Sequence, residues 1–140
     1  MKILLAIDGS EYTKKMLAYL TTHDELFSAN NSYTLLTVQP QLPPRARAAV
    51  GKEMAETFHR EEAEKVLGPV TKFLLRHGID AKTVSKVGHA GETIAKTADS
   101  GKFDLVVMGS HGHGTLGNLV MGSVATQVLA RSKAPVLLVR

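Results

Sequence analysis

Four short apolar runs limit the folds open to this chain more than any other feature. They occupy residues 3–7, 33–38, 105–108 and 136–139. A strand with one face in water alternates polar and apolar side chains, so nearly unbroken apolar runs predict strands that are covered on both faces. Residues 80–87 do alternate, and this pattern predicts a less buried strand at the edge of a sheet.

Segments with helical spacing separate the predicted strands. Ser10 is placed to cap a first helix, whose apolar face extends towards Phe27. Gly78 ends a second, longer pattern, and Pro69 predicts a kink or break inside it. Two more helices are predicted at residues 90–98 and 123–131. The apolar positions of the first two patterns are Met16, Leu17, Leu20, Val50, Met54, Phe58, Val66, Val70, Phe73 and Leu74.

Strands that alternate with helices require parallel pairing through right-handed crossovers. The order predicts one domain over residues 1–140, an open five-stranded parallel α/β sheet with helices on both faces. Ligands of such sheets bind beyond the carboxyl ends of the strands, where the strand order reverses. The segments to inspect are therefore residues 8–10, 38–40, 88–91 and the chain from Gly109 onward. Residues 39–49, rich in proline and arginine, predict a mobile loop.

Composition excludes several classes of protein. The chain has no cysteine, which excludes disulfide scaffolds, thiolate zinc sites and cysteine nucleophiles, and is consistent with a cytoplasmic location. The formal net charge of +4 is spread along the sequence, and aromatic residues make up only 5%. Both features argue against nucleic acid as a partner. No apolar run approaches the roughly 18 residues of a membrane span, so we expect no membrane association.

The segment from Gly109 to Ser123 is rich in glycine and leads directly into the last predicted helix. Five of the 12 glycines lie in these 15 residues. Glycine allows a close approach of backbone to ligand, and the N–H groups of a helix N-terminus attract anions. Asp104 is the last acidic residue of the chain, so no later carboxylate would repel a phosphate. The segment predicts a phosphate site, although a loop of this kind also serves simply as a tight connection.

Two common phosphate-binding patterns fit this segment poorly. Residues 117–123 read G-x-x-x-x-G-S, which places Ser123 where a P-loop has its lysine. Residues 112–117 match G-x-G-x-x-G, but the acidic residue that a dinucleotide site needs about 20 positions later is missing. His111 and His113 lie two residues apart, yet a metal site would need further ligands that the sequence does not place.

A third pattern fits better. Gly109-x-x-Gly112, nine further residues and then Gly122-Ser123 follow an opening strand that ends in Ala6-Ile7-Asp8, and the chain closes with Pro135 and residues 136–139. Over essentially its whole length the chain resembles the universal stress protein family, and within it the ATP-binding subset. The resemblance implies the strand order 3-2-1-4-5 and a bound ATP, AMP or ADP, with Mg²⁺ accompanying the nucleotide.

The resemblance also implies which residues bind the nucleotide. Gly109, Gly112, Gly122 and Ser123 would surround the phosphates and ribose. Asp8 would lie near the ribose or a phosphate-bound metal, or could serve only as a turn and helix cap. Where family members commonly have Lys or Arg, this chain has His113. The full predicted set is Ala6, Ile7, Asp8, Val38, Met108, Gly109, His111, Gly112, His113, Gly122, Ser123 and Val124.

Three functions remain open at this point. The first is a cytoplasmic stress-response protein that acts as a regulatory module whose state depends on bound ATP or AMP. The second is a slow ATP hydrolase in which Asp8 or a metal orients water. The third is a dimeric interaction module that binds no nucleotide. The resemblance and the apolar final strand, Val136–Val139, together predict a homodimer formed through that strand.

Overall fold

A computed structural model describes residues 1–113 and 120–140, and this part of the chain forms five strands and four helices. The strands are β1 (Lys2–Ala6), β2 (Ser32–Gln39), β3 (Lys82–Val87), β4 (Leu105–Gly109) and β5 (Val136–Val139). The helices are α1 (Glu11–Thr21), α2 (Pro44–Arg76), α3 (Ala90–Ser100) and α4 (Ser123–Arg131). Gly114 and Gly117, which belong to the predicted phosphate segment, lie outside the described residues.

All strand pairs are parallel, and the sheet order is β3-β2-β1-β4-β5. This confirms the predicted fold class. The strand order reverses at β1, which pairs with β2 on one side and with β4 on the other. β3 forms one edge and is largely exposed, as its alternating sequence predicts.

Each face of the sheet has its own hydrophobic core. Ile3, Leu5 and Ile7 point to the face covered by α1 and α2, whereas Leu4 and Ala6 point to the face covered by α3 and α4. Because successive side chains of a strand alternate between faces, β1 contributes to both cores and has no polar side. The helices therefore cover both faces, as predicted.

The predicted mobile loop at residues 39–49 is wrong for most of its length. α2 begins at Pro44, so residues 40–43 alone connect it to β2. Pro44 lies in the first turn, where the missing N–H of proline has no helical partner to lose and its fixed φ suits the helix. Prolines thus mark a helix start here and not a long flexible segment.

A break of α2 at Pro69 is not observed, and the non-helical residue lies elsewhere. The helix continues through Pro69, and the non-helical residue is Gly51, with φ of 81° and ψ of 168°. Positive φ is inexpensive only for glycine, which explains why the bend lies there. At Pro69 the helix is held by buried neighbours, Leu67 and Val70, that pack into the core.

The apolar face predicted for the first half of α2 is wrong. Val50, Met54 and Phe58 are 38%, 64% and 44% exposed. Their spacing is helical, but a different face of the helix is buried, and this face includes Ala55 and Ala63. Phe27 is buried, but it follows α1 and is not part of it.

β5 forms the second edge, and its apolar side chains are partly covered by the chain itself. Leu137 packs against the α1–α2 core, and Val136 and Leu138 pack against the α3–α4 core. None of the described helices combines the length and apolar character that a membrane span requires.

Candidate functional site

A cavity of about 180 Å³ opens at the carboxyl ends of β1 and β4, at the point where the strand order reverses. It brings together every residue that the sequence predicts for the site. The structure adds residues that the prediction missed. The predicted residues in the lining are Ala6, Ile7, Asp8, Val38, Met108, Gly109, His111, Gly112, His113, Gly122, Ser123 and Val124, and the added ones are Thr13, Leu36, Ala90, Ile94 and Ala125.

Asp8 follows β1 and is held in place by the start of α1. One carboxylate oxygen, Oδ1, accepts hydrogen bonds from the backbone N–H of Ser10 at 2.9 Å and from the Thr13 hydroxyl at 3.0 Å. Thr13 Oγ1 in turn accepts from the backbone N–H groups of Asp8 and Gly9, both at 3.2 Å. Because both groups are fixed by several bonds, the carboxylate is preorganised before any ligand arrives.

The second carboxylate oxygen of Asp8 points to the glycine-rich segment. A Cβ added at Gly112 would lie 2.8 Å from Asp8 Oδ2, a distance that real Cβ atoms do not occupy. No described residue donates a hydrogen bond to Oδ2, so this atom is available to a hydroxyl group or a cation. A side chain at position 112 would require Asp8 Oδ2 to move from its place beside this segment.

Gly122 lies near the other end of the glycine-rich segment. Its N–H donates to the carbonyl of Ser110 at 2.7 Å, and a Cβ on it would lie 3.2 Å from the Cα of His111. The φ of Gly122 is −76°, so glycine is favoured here by the close approach to His111 and not by its backbone angle. Residues 110–111 and Gly122 are thereby brought together beside the end of β4.

The N-terminus of α4 begins directly after Gly122 and borders the same cavity. Gly122 is the N-cap residue and provides no side-chain hydrogen bond to the first turn. The N–H groups of that turn have no helical acceptors, and they carry the positive end of the helix dipole. Ser123 and Val124 of this turn line the cavity. An anion at this position would find backbone donors that nothing in the helix uses.

The two histidines have different surroundings. His113 Nε2 lies 2.8 Å from the backbone oxygen of Asp8, and since a carbonyl can only accept, Nε2 carries the hydrogen. His111 Nδ1 lies 2.8 Å from Ser110 Oγ, and its ring packs on Tyr12 with centroids 4.9 Å apart. His113 therefore links the glycine-rich segment to the end of β1, whereas His111 is held against α1.

The cavity contains few charges. Asp8 is its one carboxylate among the described lining residues, and none of these residues is Lys or Arg. Over residues 1–113 and 120–140, no group of three or more His, Cys, Asp or Glu side chains is arranged to hold a metal ion. The inner wall is apolar and is formed by Leu36, Val38, Ile94 and Met108.

Two of the missed residues had a recognisable signal. Thr13 lies one helical turn after Asp8-Gly9-Ser10, where a hydroxyl can reach back to an acidic residue before the helix. Ala90 lies within residues 88–91, the segment after β3 that the fold rule had already marked. Leu36, Ile94 and Ala125 had no signal, since in sequence they are ordinary core positions.

Comparison with known proteins agrees with the predicted resemblance. The family model described as "Universal stress protein family" matches residues 1–140. A universal stress protein of Thermus aquaticus is 34% identical over 139 residues, covering 99% of this chain and 97% of its own length. Universal stress protein Slr1230 of Synechocystis is 32% identical over 139 residues, but this chain spans only 42% of that relative.

Solved structures give the same result. MJ0577 of Methanocaldococcus jannaschii has a TM-score of 0.80 and 30% identity, with 99% of this chain and 94% of that chain covered. A universal stress protein from Archaeoglobus fulgidus in complex with dAMP has a TM-score of 0.66 and 20% identity, and covers 100% of this chain and 98% of its own. An Arabidopsis thaliana protein with AMP bound has a TM-score of 0.67 and 17% identity, covering 99% and 90%. The chain belongs to the universal stress protein family.

Proposed function

We propose that this chain binds an adenine nucleotide in the cavity at the ends of β1 and β4. The observation that carries the proposal is the convergence of Asp8, the glycine-rich segment and the α4 N-terminus on one cavity. Solved members of the family hold dAMP and AMP, which supports an adenine nucleotide as the ligand class. Nucleotide binding by this chain rests on that convergence and on those relatives.

The lining suggests how the ligand would lie. The apolar wall of Leu36, Val38, Ile94 and Met108 suits the adenine ring, and the backbone of Val38 would offer hydrogen bonds to its edge. Asp8 Oδ2 would accept from a ribose hydroxyl. The phosphate would lie against the first turn of α4, where the free N–H groups favour an anion.

The charges favour a nucleotide with few phosphates. Each additional phosphate adds negative charge near Asp8, and the described lining offers no Lys or Arg to balance it. The sequence from Gly114 to Leu119 adds none either. We therefore expect AMP to bind at least as tightly as ATP in the absence of a divalent cation. If Mg²⁺ accompanies ATP, Asp8 is the carboxylate that would hold it, and the ion would neutralise part of the phosphate charge.

We further propose that the protein acts as a cytoplasmic stress-response module whose bound nucleotide regulates its contacts, and not primarily as an enzyme. We propose that it forms a homodimer through β5, without nucleic acid as a partner. The spread of its basic residues and the small aromatic content support the last point.

Nucleotide extracted from the purified, denatured protein and identified by mass spectrometry tests the proposal directly. We expect an adenine nucleotide, and calorimetry should then give one site per chain with AMP, ADP and ATP. Absence of both extracted nucleotide and calorimetric binding would favour the interaction module that binds no nucleotide. Steady-state phosphate release from ATP that Asp8→Ala abolishes would instead identify a slow hydrolase.

A further inference from the structure

A second cavity, of about 420 Å³, opens between α1 and α2 on the other side of Thr13. Its walls are mostly apolar and are contributed by Leu17, Val66, Pro69, Val70 and Phe73. Its volume lies within the range of small-molecule sites, which is roughly 300–1,000 Å³. We call this cavity the α1–α2 groove. None of the predicted nucleotide-binding residues lines it.

Three basic residues, Lys14, Lys65 and Arg76, also line the α1–α2 groove. Among the described residues, Lys14 and Arg76 have no ion-pair partner. Lys65 lies 2.9 Å from Glu62, whose hydrogen bond and charge raise the pKa of the lysine and keep it protonated. The groove thus combines an apolar interior with an excess of positive charge.

One buried polar atom of the groove lining has no hydrogen-bond partner among the described residues. Ser10 is 6% exposed, and its hydroxyl has no hydrogen-bond partner among the described residues. Its backbone is fully engaged, with the N–H bonded to Asp8 and the carbonyl accepting from Thr13 and Lys14. An unsatisfied buried hydroxyl in a native fold calls for a partner, and a ligand or water supplies one.

Two of the three basic residues lie at one end of the groove, and the third, Arg76, lies at the other. At one end Val66 approaches Gly9, where an added Cβ would lie 3.4 Å from it, and Lys14 and Lys65 lie on the two helices near this end. Phe73 and Arg76 lie further along α2. The lining of α2 runs from residue 65 to residue 76, which corresponds to about 16 Å at 1.5 Å per residue.

We propose that the α1–α2 groove binds a straight-chain monocarboxylate, with its alkyl chain along Val66, Val70 and Phe73. The carboxylate lies at the Ser10 end, where Lys14 and Lys65 supply the charge. The mostly apolar walls disfavour a compact polar anion such as free phosphate, because Val66, Val70 and Phe73 offer it no polar partner. A negatively charged head on an apolar chain satisfies both parts of the site.

Calorimetric titration with decanoate, kept below its aggregation concentration, tests this proposal. Wild-type protein should bind one decanoate per chain, and decanol, which has the same chain without the charge, should bind at least about fivefold more weakly. Lys14→Gln should weaken decanoate binding, whereas Lys72→Gln, an exposed residue of α2 outside the groove, should not.

A second variant tests the location independently of charge. Ala18 is exposed on α1 and lines the groove, so Ala18→Trp should block the groove without disturbing the core. We expect it to lose decanoate binding while its melting temperature stays close to that of the wild type. The proposal is overturned if wild-type protein shows no saturable binding, or if Ala18→Trp and Lys14→Gln bind decanoate as tightly as the wild type. Binding of an acidic peptide with no binding of decanoate would assign the groove to a protein partner instead.

Discussion

The Thr13 hydroxyl lies 3.0 Å from Oδ1 of Asp8, and Thr13 lines both the cavity at the ends of β1 and β4 and the α1–α2 groove. Thr13 is 5% exposed, and its Oγ1 also accepts hydrogen bonds from the backbone N–H groups of Asp8 and Gly9. This threonine joins the loop after β1 to the first turn of α1. The orientation of Asp8 therefore depends on where α1 lies.

Replacing Thr13 by the isosteric valine tests this relationship. Thr13→Val removes a hydrogen bond to the carboxylate, worth about 0.5–1.5 kcal/mol, so AMP affinity should fall by about threefold to tenfold. Thr13→Ser should retain most of the affinity. Thr22→Val, which removes an exposed hydroxyl outside the cavity, is the matched control. Equal AMP affinities of Thr13→Val and wild type in calorimetry would mean that Asp8 needs no such support.

Gly122→Val should disrupt the cavity at the ends of β1 and β4 while the fold persists. The valine Cβ would lie 3.2 Å from the Cα of His111 and 3.4 Å from the Ser110 carbonyl, so the turn must move. Such overpacking costs about 1–3 kcal/mol, and we expect AMP affinity to fall by about tenfold or more.

Gly68→Ala provides the control for this substitution. Nothing lies within 4 Å of a Cβ at Gly68, and the residue belongs to α2. Alanine favours a helix over glycine, so this variant should be slightly more stable and bind AMP normally. Unchanged AMP affinity in a folded Gly122→Val variant would show that the nucleotide lies elsewhere.

His113 should affect nucleotide binding through its contact with the end of β1. Its Nε2–H donates to the Asp8 carbonyl at 2.8 Å, and the residue lines the cavity. His113→Ala removes this hydrogen bond, worth about 0.5–1.5 kcal/mol, so AMP affinity should fall by about threefold to tenfold.

His113→Gln keeps a donor for the Asp8 carbonyl, so it should retain more of the affinity than His113→Ala. Equal AMP affinities of His113→Ala and wild type in calorimetry would remove the histidine from the nucleotide site.

The dimer prediction concerns β5. Leu138→Lys should give monomers or insoluble protein, because it places an ammonium group without a partner in an apolar contact. Leu138 also packs against its own α3–α4 core, so the melting temperature must be measured beside the sedimentation coefficient. Thr83→Lys at the opposite sheet edge should leave the association state unchanged. A wild-type monomer at tens of micromolar would contradict the prediction.

Tyr33 should affect stability in alkaline solution. Burial raises the pKa of Tyr33, against a smaller lowering by the hydrogen bond from Asn31, so the folded state retains the phenol proton longer than the unfolded state. Its contribution to the pH dependence is a loss of stability as pH rises from about 10 towards the folded-state value, because the unfolded chain releases this proton first. In urea titrations at pH 8 and above 10, the free energy of unfolding should fall less for Tyr33→Phe than for wild type.

Much of the fold follows from local pattern. The apolar runs around Ile3 and Leu105 require strands covered on both faces, and with helices between them only parallel pairing remains. The glycine spacing from Gly109 to Gly122 likewise pointed to residues that meet in one cavity. These features are readable because each depends on the chemistry of neighbouring residues along the chain.

Tertiary structure decided the features that depend on residues distant in sequence. Met54 and Phe58 have helical spacing, but packing against the sheet selects the face of Ala55 instead. Ile94 and Ala125 become lining residues only because α3 and α4 pack on the same face of the sheet. The α1–α2 groove likewise exists only between two packed helices. The periodicity of one segment shows that it has an apolar face, but burial depends on the elements that cover it, and these are brought together only by the complete fold.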